Sequence, residues 1–325
     1  MDAERLAALL ICDCKLVVKD VVTSTNDEVF VQAQAGLDAR PLVVISARQT
    51  AGRGRMGRLW ASPPGGLYLS ALLELDPVRA ASMNVASLSP LVATAAYDAI
   101  APFAGGDLRI KWPNDLIVPR GKLVGILVEV KRDFALARGG ALARGGALAG
   151  DAVLARGGIF APAPPTKAAP ASAASPPPPL VVIGIGINVN RPPDAEVFSG
   201  SAYLSDCQAE SLSSEGAAPL AECANLPLED VGAAVINRLF EHYERWLTAG
   251  CSFAPFVDAY LERMALRGEW VCVRNAEGAQ IASGVVEGID DAACLVLADG
   301  QRRVAVAAGE VTLRDDAAST PRFNG

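Results

Sequence analysis

The chain has 325 residues, of which 51% are hydrophobic and 6% aromatic, and carries a net charge of −7. That is enough apolar material to bury the core of one large domain and a small one. The acidic balance excludes a surface that attracts nucleic acid as a whole, so any anion site has to be a local basic patch.

Met1 to Leu16 begins acidic and holds only a short apolar run, Leu6 to Ile11, which is not a signal peptide. No uninterrupted apolar stretch of about 18 residues marks a membrane helix. Seven cysteines without a secretion signal read as reduced thiols of a cytoplasmic protein. Cys12-x-Cys14 is the only close pair. It lacks the two-residue spacer of common zinc sites, so no residue is assigned as a metal ligand.

Leu16 to Val18 and Pro41 to Ser46 read as short buried strands. Between them, Ser24-Thr25-Asn26-Asp27-Glu28 reads as a helix start, with a hydroxyl cap and acidic residues at the positive end of the helix dipole. That helix is expected to stop at Gly36. Leu67 to Leu75 is apolar at every second position, the pattern of a strand. Residues 82 to 103 read as a buried helix. Leu108 to Trp112 reads as a strand that ends in a Pro113-Asn114-Asp115 turn. Leu123 to Val130 and Leu180 to Val189 are further strands.

The interval 135–179 differs in texture. Ala-Leu-Ala-Arg-Gly-Gly occurs twice, a Pro-rich run follows, and Ala, Gly and Pro make up 30 of its 45 residues. Such a composition buries too little side chain to offset ordering its backbone, so the interval reads as a disordered insertion. The Arg-Gly repeat lacks the aromatic partners of an RNA-binding tract. Without the insertion, 123–130 and 180–189 become adjacent antiparallel strands, with the insertion at the hairpin tip.

Val231, Val235, Leu239, Tyr243, Trp246 and Leu247 share one stripe of a helix over 229–249, and Pro255 to Met264 is a second helix. His242, the only histidine, is expected to pack rather than catalyse. From about Leu266 onward, short strands punctuated by Gly278, Gly284, Gly288 and Gly300 read as a small β-barrel.

Four segments carry chemistry. Arg48 to Arg58 holds four arginines and three glycines in eleven residues. Glycine lets backbone approach a ligand closely, and arginine grips phosphate or carboxylate with a planar fork. The spacing matches neither a P-loop nor a dinucleotide fingerprint. The others are Lys111-Trp112-Pro113-Asn114-Asp115, Gly121-Lys122-Leu123-Val124-Gly125-Ile126-Leu127-Val128-Glu129, and Gly184-Ile185-Gly186-Ile187-Asn188-Val189-Asn190. The last bares backbone for a flat ligand.

In combination and order, these segments and Ser24-Thr25-Asn26 resemble the catalytic domain of biotin protein ligases over about residues 15–315, the insertion apart. The resemblance implies an α+β fold. A mixed-sheet catalytic domain over 1–265 has helices on one face, and an SH3-like domain follows over 266–325. It implies that biotin is activated with ATP and Mg2+ to biotinyl-5′-AMP. Biotin then passes to a lysine of the biotin carboxyl carrier domain of acetyl-CoA carboxylase. Ser24, Thr25, Asn26 and Gln49 are expected around the biotin ring. Gly52, Arg53, Gly54 and Arg55 are expected over the biotin carboxylate and the AMP phosphate. Lys122 should meet the reacting groups, with Lys122, Arg53 and Arg55 as the catalytic cations. Trp60 should support the nucleotide, Lys111, Asn114 and Asp115 the floor, Gly125 and Gly186 the flat wall, and Asn188 should face the adenylate. Glu310 or Arg314 is expected to approach the nucleotide from the small domain.

Two other readings stay open at this level: a lipoate or octanoate ligase of the same fold, and a non-catalytic biotin-binding or regulatory protein. About 20 residues before Ser24 are too few for a helix-turn-helix domain, so DNA is not an expected partner. Nor is a membrane. Monomer and homodimer are both compatible with the sequence.

Overall fold

Leu42 to Ser46 is apolar but for its last residue, and all five residues are buried, as a strand covered on both faces requires. It lies in an eight-stranded sheet whose strands are β1 (Lys15–Lys19), β2 (Leu42–Ser46), β3 (Leu67–Glu74), β4 (Arg109–Lys111), β5 (Asp115–Val118), β6 (Gly121–Lys131), β7 (Ala152–Leu154) and β8 (Leu180–Ile187). Their order is β4-β5-β6-β8-β3-β2-β1-β7. Only β1 and β2 run parallel; the other neighbours are antiparallel. The computed structural model describes residues 1–35, 41–74, 84–105, 107–131, 152–154, 180–192, 200–208, 225–300 and 302–313.

Among the helices of the described residues are α1 (Ala3–Leu9), α2 (Thr25–Gln34), α3 (Leu88–Ala104), α4 (Leu228–Thr248) and α5 (Val257–Arg263). The main core packs α1, α3 and α4 on the sheet face formed by Leu16, Val18, Val43, Ile45, Leu69 and Ala71. The stripe read along α4 is this contact: Val231, Val235, Leu239, Tyr243 and Trp246 are all buried. The expectation of helices on one face needs one amendment. α2 lies alone on the opposite face, where Val29 and Ala33 meet Val17, Leu42, Val44 and Leu72. The central residues of β1 and β2, Leu16 to Val18 and Leu42 to Ile45, are apolar on both faces, so each face needs a cover.

His242 packs as expected. Its Nε2 lies 3.0 Å from Asp98 and its ring stacks on Phe256.

Two further differences concern strands. β5 falls where the sequence reads only a turn; it pairs with both β4 and β6, and four residues are too short for a period to show. Within the interval read as a disordered insertion, residues 152–154 form β7 and pair with β1, Leu16 facing Leu154. β1 would otherwise be the sheet's edge, and the unpaired N–H and C=O groups of an edge strand accept a partner with little regard to its side chains. The rest of 135–179 lies outside the described residues, as does Arg314. β6 and β8 pair from Val124↔Ile187 to Lys131↔Leu180, the antiparallel neighbours expected.

A second, all-antiparallel sheet follows: β9 (Trp270–Arg274), β10 (Gln280–Ile289), β11 (Leu295–Asp299), β12 (Arg302–Val306) and β13 (Glu310–Leu313), in the order β12-β11-β10-β9-β13. It is tied to the first. The buried Trp112 donates its indole N–H to Ala293 O at 3.2 Å, and Ile110 bridges to Met264. The Trp112–Pro113 peptide is cis.

Candidate active site

The arginine-rich segment folds as a small hairpin rather than an open loop. Arg53 bridges Leu59, Trp60 N–H donates to Gly52 O at 2.9 Å, and Gly54 N–H to Arg58 O at 2.8 Å. At its tip Arg58 N–H donates to Arg55 O across Met56 (φ 58°, ψ 32°) and Gly57 (φ 72°). Two left-handed residues with an i to i+3 bond make a type I′ turn, the one whose twist suits a tight hairpin.

The hairpin lies between two cavities. The narrower, about 450 Å3, is lined by Ser24, Thr25, Asn26, Gln49, Arg53, Gly125, Gly184 and Gly186 among others. The wider, about 1300 Å3, is lined by Lys111, Trp112, Asp115, Val118 and Gly121 from the first sheet and Glu310 and Val311 from the second. Gly54, Arg55, Trp60, Asn114 and Lys122 belong to both linings and form the junction.

Ser24 stands at the N-cap of α2 without capping it, so its hydroxyl is not spent on the helix end. Thr25 donates its backbone N–H to Gln49 Oε1 at 2.8 Å, and its hydroxyl oxygen lies 3.2 Å from the same atom. Gln49 Nε2 donates to Ser62 Oγ at 3.0 Å.

Trp60 lies flat on β6 and β8, where Gly125 and Gly186 are paired opposite each other. A Cβ on either glycine would come within 2.5 Å of the indole, so only glycine leaves the ring its place. Lys122 Nζ sits 4.9 Å from the ring centroid, a cation–π distance. The Trp60 N–H is buried without an acceptor.

Lys122, Arg53, Arg55 and Arg58 rest on internal acceptors. Lys122 Nζ is 2.8 Å from Asp115 Oδ1. Arg53 grips Asp27 with both nitrogens, at 2.5 and 2.7 Å, and this pairing raises its pKa. Arg55 donates to Asn114 Oδ1 at 2.8 Å and to Gly309 O at 3.2 Å. Burial lowers the Arg55 pKa, yet a guanidinium remains charged in proteins. Arg58 forms a two-pronged ion pair with Glu310, raising the arginine's pKa and lowering the carboxylate's.

Two expected site residues are absent from both linings. Gly52 is enclosed: a Cβ there would lie 2.5 Å from Trp60 O and 2.6 Å from Ser62 Oγ. It shapes the hairpin neck. The Asn188 amide donates to Lys122 O at 3.1 Å and so braces the backbone that carries the lysine. Glu310 reaches the wide cavity, as expected, but through Arg58.

Sequence reasoning missed Ser70. It is fully buried on β3, and its Oγ lies 2.7 Å from Thr25 Oγ1 and 2.6 Å from Asn26 Oδ1. The signal was present: Leu67 to Leu75 alternates, and the face opposite its apolar stripe carries Tyr68 and Ser70 toward the site. Glu129 accepts from Asn26 Nδ2 at 2.9 Å and was likewise given no role.

Residues 18–142, which hold the first three motifs, match the model of the biotin/lipoate A/B protein ligase family. Over those residues the chain carries that family's domain. Two biotin–[acetyl-CoA-carboxylase] ligases are similar over most of their length. That of Paracoccus denitrificans is 28% identical, over 82% of this chain and 88% of its own. That of Mycobacterium tuberculosis is 29% identical, over 89% and 85%. The solved biotin protein ligase of Aquifex aeolicus, in complex with biotin and ATP, shares the fold with a TM-score of 0.62 at 21% identity, covering 92% of this chain and 98% of its own. The likeness in fold extends over both sheets.

Proposed function

We propose that this chain is a biotin protein ligase. It condenses biotin with ATP to biotinyl-5′-AMP and pyrophosphate, then passes biotin to a lysine of the biotin carboxyl carrier domain of acetyl-CoA carboxylase. The observation that carries this reading is the junction: Lys122, Arg55 and Asn114 stand where a narrow polar cavity opens into a wide one. A reaction between two bound anions needs two subsites that meet at fixed positive charge. The curated relatives named above are biotin ligases, which supports biotin over lipoate.

Ser24, Thr25, Asn26 and Gln49 hold the ring end of biotin in the narrow cavity, and its carboxylate reaches the junction. A carboxylate oxygen attacks the α-phosphorus, the new P–O bond forms, and the bond to pyrophosphate breaks with its electron pair leaving on that group. Lys122 and Arg55 neutralise the charge gathering on the phosphoryl oxygens. Arg53, now on Asp27, lies within reach of the biotin side. Lys122 and Arg53 rest on the carboxylates of Asp115 and Asp27, and Arg55 on the neutral oxygen of Asn114, so each of these cations has a hydrogen-bonding or ionic partner. The hairpin and Trp60 cover the mixed anhydride and keep water from it. In the second step the acceptor amine attacks the acyl carbon, the bond to the phosphate oxygen breaks, AMP leaves and the amine gives up a proton.

Among the described residues no group of three His, Cys, Asp or Glu could cage a metal. This fits magnesium that arrives on ATP, since that ion commonly takes one or two carboxylates besides substrate phosphates. Asp115 and Glu310 are the carboxylates on the wide wall. Magnesium there supplies charge neutralisation to the departing pyrophosphate.

The test is pyrophosphate release with ATP, magnesium and either biotin or lipoate, followed by transfer to a purified carrier domain. Biotin-dependent release and transfer are expected. Lipoate-dependent release, or none from folded protein, overturns the assignment.

A further inference from the structure

The floor of the narrow cavity is one continuous chain of hydrogen bonds, anchored by residues that do not line it. Starting from β6, the Glu129 carboxylate accepts from Asn26 Nδ2 at 2.9 Å. Arg53 Nη2 lies 3.7 Å from the same oxygen. On the other side of the amide, Asn26 Oδ1 accepts from Ser70 Oγ at 2.6 Å. Ser70 Oγ continues to Thr25 Oγ1 at 2.7 Å, and Thr25 N–H to Gln49 Oε1 at 2.8 Å. Gln49 then donates to Ser62, which donates to Trp60 O at 3.1 Å.

This chain has a direction. An ionised carboxylate only accepts, so it must face the amide nitrogen of Asn26 and not its oxygen. The Asn26 oxygen then faces Ser70, which has one hydrogen to give and gives it there. The space is made for this orientation. A Cβ at Gly184 would lie 2.2 Å from Asn26 Oδ1, so the amide rests flat on bare backbone. Asn26 and Ser70 are both buried, which makes an unpaired atom costly in any flipped state. With the amide fixed, Asn26 keeps a second N–H to offer as a donor in the cavity it lines, beside Ser24, whose hydroxyl does not cap the helix.

We propose that Ser70 and Glu129 are positioning residues that lock the Asn26 amide. They thereby make this end of the cavity selective for a ligand head that accepts hydrogen bonds. The inference rests on the ligase reading and deepens it, since the ureido head of biotin carries such an acceptor. Neither residue touches the reacting atoms. Their effect is therefore on head-group affinity and on the choice between heads, with the chemistry at Lys122 untouched.

Two variants separate this from a merely structural role. Glu129→Gln keeps the shape but offers both a donor and an acceptor, so Asn26 is free to turn over. Ser70→Ala removes the donor to its oxygen. Each is tested by calorimetry and by pyrophosphate release with biotin and with 2-iminobiotin, whose guanidino head donates where the ureido carbonyl accepts. In both variants the biotin-to-iminobiotin preference should shrink about tenfold. The KM for biotin should rise by a similar factor, while kcat at saturation and the KM for ATP stay within about twofold. A preference unchanged in folded variants overturns the inference, as does an equal loss for biotin and ATP. If the unmodified protein binds no biotin, the ligase reading falls and the inference with it. If it binds biotin and the variants match it, the inference falls alone.

Discussion

The narrow cavity takes its walls from one sheet, the first turn of α2 and the arginine hairpin, and its polar side chains are joined to one another by hydrogen bonds. The wide cavity is built differently. One wall comes from β4, β5 and β6 and the other from Glu310 and Val311 at the far end of the chain, with the arginine hairpin clamped between them by Arg58–Glu310 and Arg55–Gly309. The first is a preorganised recognition surface. The second depends on two sheets staying docked. Changes in the narrow cavity should therefore alter which ligand is chosen, and changes in the wide one how well the site is assembled.

The largest effect is expected at the junction, where both designs meet. Lys122→Ala should lower kcat for biotin-dependent pyrophosphate release by about 10²–10³-fold, the usual cost of losing one such charge-stabilising group. Its side chain is one-third exposed, so the thermal midpoint should barely move. Full activity in this variant would remove the junction from the mechanism.

Next comes Gly186→Val, which places a side chain where Trp60 lies. The overpacked ring has to shift, at about 1–3 kcal/mol of stability read from urea midpoints. Biotin affinity should fall with it, because the indole lines both cavities. Unchanged stability would mean that Trp60 is not held on the glycine pair.

A smaller change tests the clamp. Arg58→Glu should raise the KM for ATP and leave biotin binding unchanged, and adding Glu310→Arg should restore it. The pair is exposed, so a double-mutant cycle on stability should give about 0.2–1 kcal/mol. Equal effects on biotin and ATP would erase the distinction between the two cavities.

The smallest effect is in pH. The Arg58 hydrogen bond holds the Glu310 carboxyl below its ordinary value of 4.5, against the opposing effect of burial. A lowered folded pKa stabilises above the unfolded value, and that contribution is lost as pH falls through the folded one. Protection of the hairpin amides of Gly54 and Trp60, measured as exchange relative to the intrinsic rate at each pH, should fall on acidification below about pH 4.5, and Glu310→Gln should remove that pH dependence.

Much of the narrow cavity was legible in the sequence because its residues come in short runs: Ser24-Thr25-Asn26, the arginine segment, and glycines alternating along β8. Periodicity likewise revealed the long strands and α4. What stayed hidden was relational. Ser70 is one polar residue on an apolar strand, and only the approach of α2 gives it partners. Asn188 lies in a glycine-rich motif that suggests ligand contact, yet its amide is consumed by the Lys122 backbone. β7 is set by a vacant strand edge elsewhere in the fold, which no local pattern records. Trp112 looks like part of the floor motif and also pins the second sheet through Ala293.

The rung Lys131↔Leu180 holds the two ends of the long β6–β8 connection side by side, however many residues lie between them. Closing such a loop costs only about 0.6 kcal/mol more for each doubling of its length. Apart from β7, which pairs with β1, the connection at the outer end of this strand pair is thus a port at which the chain can gain or shed sequence over generations with little penalty to the site. It is also a natural position for grafting a reporter or an affinity tag.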